Sequence, residues 1–203
     1  MSKWTTQKLT VTALLIAIGI LIPMISPLRV LIEPMSFTLA SHVAIFIAVF
    51  MAPDAAVVVA LGTTLGFFVG GFPLVIVLRA ASHVVFALCA SLFLKRFPGT
   101  LYSLPRVHVF SFIVGLIHGA CEVIVVFFYY YTVGGMASVS DNLGFRVLFM
   151  LVGIGSVVHS MVDFEIAYGI FRGLVKVRSF ASVFPYTRDP RLSTPKESSS
   201  PAA

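Results

Sequence analysis

"PLVIVLRAASHVVFALCASLFLKR", residues 73–96, decides what kind of protein this is. A membrane-crossing helix needs about 20 mostly apolar residues, and this run supplies them before the basic pair Lys95-Arg96 closes it. Inside the run stand Arg79 and His83. Four residues apart, they share one helical face, a turn above one another. A charged group at the bilayer centre costs about 3 kcal/mol or more unless it is paired or faces a cavity. A membrane helix with a polar face is therefore the expectation that the rest of the chain must match.

Composition matches it. Of 203 residues, 59% are hydrophobic and only 11% charged, and the mean hydropathy is +1.03. Soluble domains carry about a quarter charged residues. Turn and breaker signals divide the chain into six candidate spans at 8–26, 36–52, 54–71, 73–94, 108–132 and 145–174. "SPLRVLIEP", Pro53-Asp54, "GGFP", "KRFPGTLYSLPR" and "VGGMASVSDNLG" separate them. The expected fold is an all-α integral membrane protein, a bundle of six transmembrane helices over residues 1–178. Residues 179–203, rich in Ser, Pro and charge, are expected to form a disordered cytoplasmic tail. The first apolar run exceeds the 7–15 residues of a signal-peptide core and lacks a clean cleavage site, so it counts as a span.

Basic residues set the expected direction. With the N-terminus inside, eleven Lys and Arg fall on the cytoplasmic side: Lys3, Lys8, Lys95, Arg96, Arg106 and six from Arg172 to Lys196. The outer side carries Arg29 and Arg146 alone. That asymmetry puts both termini in the cytoplasm and accounts for the net charge of +6 without nucleic acid. Small residues recur at four-residue spacing in Ala13/Ala17, Gly62/Gly66/Gly70 and Gly115/Gly119, where helix backbones can approach closely. For the Gly62 series packing within the bundle is the preferred explanation. For Ala13 and Ala17 a partner helix is equally eligible.

Polar residues inside the spans repeat the opening pattern. His118 and Glu122 stand four apart on the fifth span, His159 and Asp163 on the sixth, and His42 lies on the second in "ASHVAIF". By depth, Arg79, His42 and Glu122 converge below the outer face, with His118 a turn deeper. His159 and Asp163 fall nearer the inner half. Arg79 has two competing roles: an internal ion pair with Glu122, or a fork of donors for a substrate carboxylate, which its planar guanidinium matches. The second is favoured. His118 and His159 could each simply bond a backbone carbonyl, and Asp163 and Glu165 could pair with basic groups near the inner surface.

Other chemistry finds little support. No phosphate-binding G-x-x-x-x-G-K-[ST] is present, so the chain cannot itself drive transport with ATP by that route. Neither H-E-x-x-H nor a cysteine cluster occurs, and no resident metal or cofactor is expected. Cys89 and Cys121 are expected to be packing residues. A rhomboid-like intramembrane hydrolase would pair Ser82 with His159, but "RAASHVV" lacks the G-x-S-G turn of that nucleophile.

Six short helices, cytoplasmic ends, a basic fourth loop and Ala13-xxx-Ala17 together resemble the S components of energy-coupling factor (ECF) vitamin transporters, over about residues 5–178. "IEPMSFTLASHVAIFIA" (32–48) and "GFPLVIVLRAASHVVFA" (71–87) are similar to the niacin-specific branch. The resemblance implies a bacterial plasma-membrane protein that is not an enzyme and captures a small vitamin from outside. It implies partnership with a transmembrane coupling subunit and two ABC-type ATPases, docked through Ala13 and Ala17. Nicotinate would offer its carboxylate to Arg79 and its ring nitrogen to His42, His83 or His118. Glu122 completes the expected substrate site, the first loop serves as a lid, and Arg29 adds attraction at the mouth. Pantothenate and pyridoxine or thiamin precursors are the alternative substrates.

Overall fold

The computed structural model describes residues 4–32, 35–133, 144, 146 and 149–185. Helix α1 (Thr6–Ile25) begins at Thr5, whose side chain accepts from the Lys8 N–H and caps the first turn. It leads to an antiparallel pair, β1 (Arg29–Ile32) and β2 (Met35–Thr38), in which Ile32 faces Met35 and Arg29 faces Thr38. Helices α2 (Val43–Met51), α3 (Pro53–Val69), α4 (Leu74–Arg96) and α5 (Leu104–Val133) follow, with a short 3-10 turn at Pro98–Tyr102. A π-helical stretch, Phe149–Ile154, runs directly into α6 (Gly155–Leu174), and α7 (Arg178–Ala181) adds a last turn.

The expected second span is corrected. Residues 36–38 belong to a strand, and α2 has only 9 helical residues, about 14 Å of rise. That is half of what a bilayer demands. α2 nevertheless tolerates its continuous apolar sequence because every residue in it is buried, with α1, α3, α4 and α6 packed around it. A helix hydrophobic on all sides belongs in the middle of a bundle. Among the described residues, four helices are long and apolar enough to cross a membrane: α1, α4, α5 and the continuous Phe149–Leu174, while α3 is a shorter apolar helix. The fifth connection, 134–142, lies outside the described residues.

Glycine contacts fix the helix spacing. A side chain on Gly62 or Gly66 would drive into Ile16 or Ile20 of α1, at 2.8 and 2.2 Å. This is the in-bundle packing expected for that series. On α5, a Cβ at Gly119 would meet the Gly153 carbonyl oxygen at 2.8 Å, so α5 and the π-helical stretch before α6 touch backbone to backbone there. Ala13 and Ala17, by contrast, are exposed, while Thr12, Leu15 and Gly19 form the buried face of α1. Cys89 is also exposed, against the expectation of packing, and neither cysteine is in a disulfide.

At one end of the bundle, Lys8 pairs with Asp54 at 2.6 Å, and Gln7 bonds to Ser179 and Ser182. The chain's two described ends therefore meet at the α2–α3 turn. Packed structure also continues past the expected boundary at 178: Phe184 is fully buried against Phe171. The rest of the tail, 186–203, lies outside the described residues. The strand pair occupies the opposite end, where Arg29 lies over the Phe72 ring of the α3–α4 turn at 5.5 Å.

Candidate functional site

Below the strand pair, α2, α4, α5 and α6 bring their polar residues to one point. Arg79, His83, His42, His118, Glu122 and Asp163 are all buried. The sequence expected three of these to converge; the structure gathers all six and adds His159.

Glu122 is one hub. One carboxylate oxygen accepts from Arg79 Nη2 at 2.7 Å and from the Ser156 hydroxyl. The other lies 3.3 Å from His83 Nε2 and 3.4 Å from His118 Nε2. The internal Arg79–Glu122 pair is therefore formed, and Arg79 also lines the cleft beneath the strands. Such a pair removes most of the cost of burying either charge, and breaking it from one side is expensive.

Asp163 is the other hub. It accepts from the Ala40 N–H at 2.7 Å, and from both the backbone N–H and ring Nδ1 of His42 at 2.9 Å. It thereby caps the start of α2 and holds Ala40 in a left-handed conformation, φ 68°. Pairing of Asp163 with a basic group near the inner surface is thus corrected; its partners are the α2 N-terminus and a histidine. Glu165 instead lies 3.6 Å from His108 at the exposed surface. Nor, among the described residues, do His118 and His159 find backbone carbonyls. His159 Nε2 faces Ser41 Oγ at 3.1 Å and Asp163 at 3.4 Å, and neither ring nitrogen of His118 makes a hydrogen bond among the described residues.

Three imidazoles close the centre. His42, His83 and His118 have ring centroids 4.6, 4.7 and 4.9 Å apart, each pair edge to face. One ring nitrogen from each lies within 4.8 Å of the other two. Their floor is aromatic: Phe86 lies 4.8 Å from His118, and Phe46 packs on Phe86 and Phe164 at 5.4 and 5.3 Å. The polar site is therefore sealed from the Lys8–Asp54 end by packed rings.

The roof is the strand pair. Ser36 and Thr38 line the cleft, and the Phe37 ring lies 5.2 Å from His159. The ring sits where a side chain on Gly155 would have to be, 2.8 Å from its Cβ position. The free space in this cleft is about 30 Å³. Arg29 does not line this cleft; it is exposed on β1 and donates to the Pro23 carbonyl.

Sequence reasoning missed Ser36, Thr38, Ser41 and Ser156, and placed His159 and Asp163 too deep. The repeated four-residue spacing of His159/Asp163 was the available signal, since it is the same pattern that marks Arg79/His83. Ser82 donates to the carbonyl of Arg79, in its own helix, at 2.7 Å. Ser41, His159 and Asp163 cluster, but the serine and the carboxylate both face Nε2, which leaves no relay through the ring.

The niacin transporter NiaX of Lactococcus lactis subsp. cremoris (strain MG1363) is 37% identical to this chain over 174 residues, covering 86% of this chain and 77% of that protein. No family model and no solved structure matches.

Proposed function

The chain belongs to the family of the niacin transporter NiaX, and from that premise we propose that it captures niacin as the S component of an ATP-driven ECF importer. It is a multi-pass bacterial membrane protein of the vitamin-transporting S-component kind, as the apolar helices and the relationship agree. The finer reading concerns which molecule is held, by what residues, and with which partners.

The observation that carries it is a buried guanidinium, Arg79, lining a cleft whose other polar residues include imidazoles and hydroxyls. Nicotinate presents an anionic carboxylate and a ring nitrogen that accepts a hydrogen bond. Arg79 takes the carboxylate, in exchange for part of its contact with Glu122, and a histidine of the 42/83/118 group donates to the ring nitrogen. Aromatic and aliphatic walls from Phe67 and Ile76 flank the pyridine. A space of about 30 Å³ is too small for that ligand. Entry therefore requires the strand pair to lift and Phe37 to leave Gly155, so that the β1–β2 segment works as a lid.

Orientation follows the charge asymmetry. The Lys8–Asp54 end faces the cytoplasm and the lid faces outward. A coupling subunit docks on the exposed Ala13/Ala17 stripe of α1, and two ABC-type ATPases supply the energy that this chain has no motif to supply. The test is equilibrium binding to the purified protein, with mass spectrometry of the co-purified small molecule. Nicotinate should bind, and nicotinamide, lacking the anion, should bind much more weakly. A different vitamin recovered from the protein, with no nicotinate binding, would overturn the assignment.

A further inference from the structure

The charges around the cleft do not balance with nicotinate bound. Arg79 supplies one positive charge; Glu122 and Asp163 supply two negative ones, all buried. Adding an anionic substrate to neutral imidazoles leaves a net charge of two negative inside the membrane, where an uncompensated charge is costly. A divalent cation would bring the set to zero.

The histidines are arranged to hold one. We propose that His42, His83 and His118 bind a divalent transition-metal ion through one imidazole nitrogen each, with its open position facing the cleft. Three observations support the assignment. First, one ring nitrogen of each histidine lies within 4.8 Å of one from each of the other two. Nitrogens on a tetrahedral zinc at 2.0–2.1 Å stand about 3.4 Å apart, so small side-chain rotations close the set.

Second, each ring has a carboxylate directed at one nitrogen. Asp163 holds His42 Nδ1 at 2.9 Å, and Glu122 lies 3.3 and 3.4 Å from Nε2 of His83 and His118. Metal-ligating histidines characteristically give their second nitrogen to such a partner, which fixes the ring and raises its basicity. With those nitrogens given to the carboxylates, the metal would take Nε2 of His42 and Nδ1 of His83 and His118. Third, His118 is 1% exposed, yet neither of its ring nitrogens makes a hydrogen bond among the described residues. A buried imidazole nitrogen left this way calls for a ligand.

A second group, His42, His159 and Asp163, also comes within 4.8 Å. It is the weaker candidate because Asp163 is already committed to two backbone N–H groups and the His42 ring. Three neutral imidazoles favour zinc, nickel, cobalt or copper over magnesium or calcium. Three protein ligands with a position left open is the arrangement of a site that accepts a further ligand. That this ligand is nicotinate, and the charge balance struck with it, rest on the niacin reading; the three-histidine geometry does not.

The test uses full-length protein carrying a histidine-free affinity tag. Metal content is measured by mass spectrometry, and the chelator-stripped protein is titrated with Co²⁺ while visible absorption and nicotinate binding are followed. We expect close to one zinc-class ion per chain, and intense low-symmetry Co²⁺ bands in the stripped protein. His118→Ala and His42→Ala should each lower Co²⁺ affinity at least about 100-fold, and Asp163→Asn about 10- to 100-fold. Nicotinate should shift the bands. Should the wild type retain no metal and leave Co²⁺ with its aqueous spectrum, the site is overturned whatever the variants do. Nicotinate binding equally well to stripped protein, with proton uptake in its place, would overturn the open position facing the cleft as the substrate's seat and leave the niacin reading standing. Metal binding without nicotinate binding would keep the site and sink the niacin reading.

Discussion

Asp163 accepts two hydrogen bonds from His42, one from its backbone N–H and one from its ring Nδ1, each at 2.9 Å across 121 residues of sequence. An ionised carboxylate only accepts, so the proton sits on Nδ1 and Nε2 is left outside this bond. One side chain on α6 thus sets both the start of α2 and the tautomer of a candidate binding histidine. Asp163→Ala would leave the Ala40 and His42 N–H groups buried without this acceptor, at about 1–3 kcal/mol each. It should lower thermal stability in detergent much more than His42→Ala, which keeps both backbone bonds. Equal loss in the two variants would show that the ring bond, not the cap, carries the stability.

The lid contact gives a kinetic prediction. Phe37 occupies the space over Gly155, and Gly155→Ala would force the ring to swing away. Since the obstructing atoms are the tip of one side chain, the fold should lose about 1 kcal/mol, the low end of the cost of overpacking. Nicotinate should dissociate about 3-fold faster or more, with its association rate little changed. Stopped-flow displacement measures both rates, and an unchanged dissociation rate would remove Phe37 from the lid.

Much of this site was legible because membranes tolerate so few buried charges. Arg79, His83, His118 and Glu122 announced themselves as four-residue pairs in apolar runs, and the structure brings them within contact of each other. The strand pair was not legible. Alternation in "MSFT" spans only four residues, too short to outweigh an apolar run that continues to Met51. Asp163 was misplaced for another reason. Its main partner is the backbone of Ala40 and His42, and no side-chain pattern signals that an alanine will turn left-handed to offer its N–H.

Exposure sharpens the docking prediction. Ala13 and Ala17 face outward, so Leu at both positions leaves the buried stripe of Thr12, Leu15 and Gly19 untouched. A partner helix that needs close backbone approach should be held off. Nicotinate binding by the purified double variant should match the wild type while uptake in cells collapses. Uptake at the wild-type rate would move the docking face elsewhere on the bundle.

Topology can be read separately from transport. Reporter fusions in Lys95–Arg106 and at the C-terminus should register as cytoplasmic, and fusions in 134–142 as external. A cytoplasmic 134–142 segment would break the alternation of spans, and the lid could not then face outward.

The most discriminating prediction concerns Arg79, because its pair with Glu122 at 2.7 Å permits two explanations. If the guanidinium also takes the substrate carboxylate, Arg79→Ala should weaken nicotinate binding by at least about 2 kcal/mol, roughly 30-fold. Arg79→Lys keeps a charge but not the fork, and should recover only part of that loss. If the pair is purely structural, the damage lies in leaving Glu122 buried without its cation, and a neutral replacement repairs it. The double variant Arg79→Gln with Glu122→Gln separates the two. Its folding, read by monodisperse elution and melting temperature, should return toward wild type because no single charge is stranded. Its nicotinate affinity should stay low, because no guanidinium remains to meet the carboxylate. Normal nicotinate binding by that double variant would show that Arg79 serves the fold and that the carboxylate is held elsewhere.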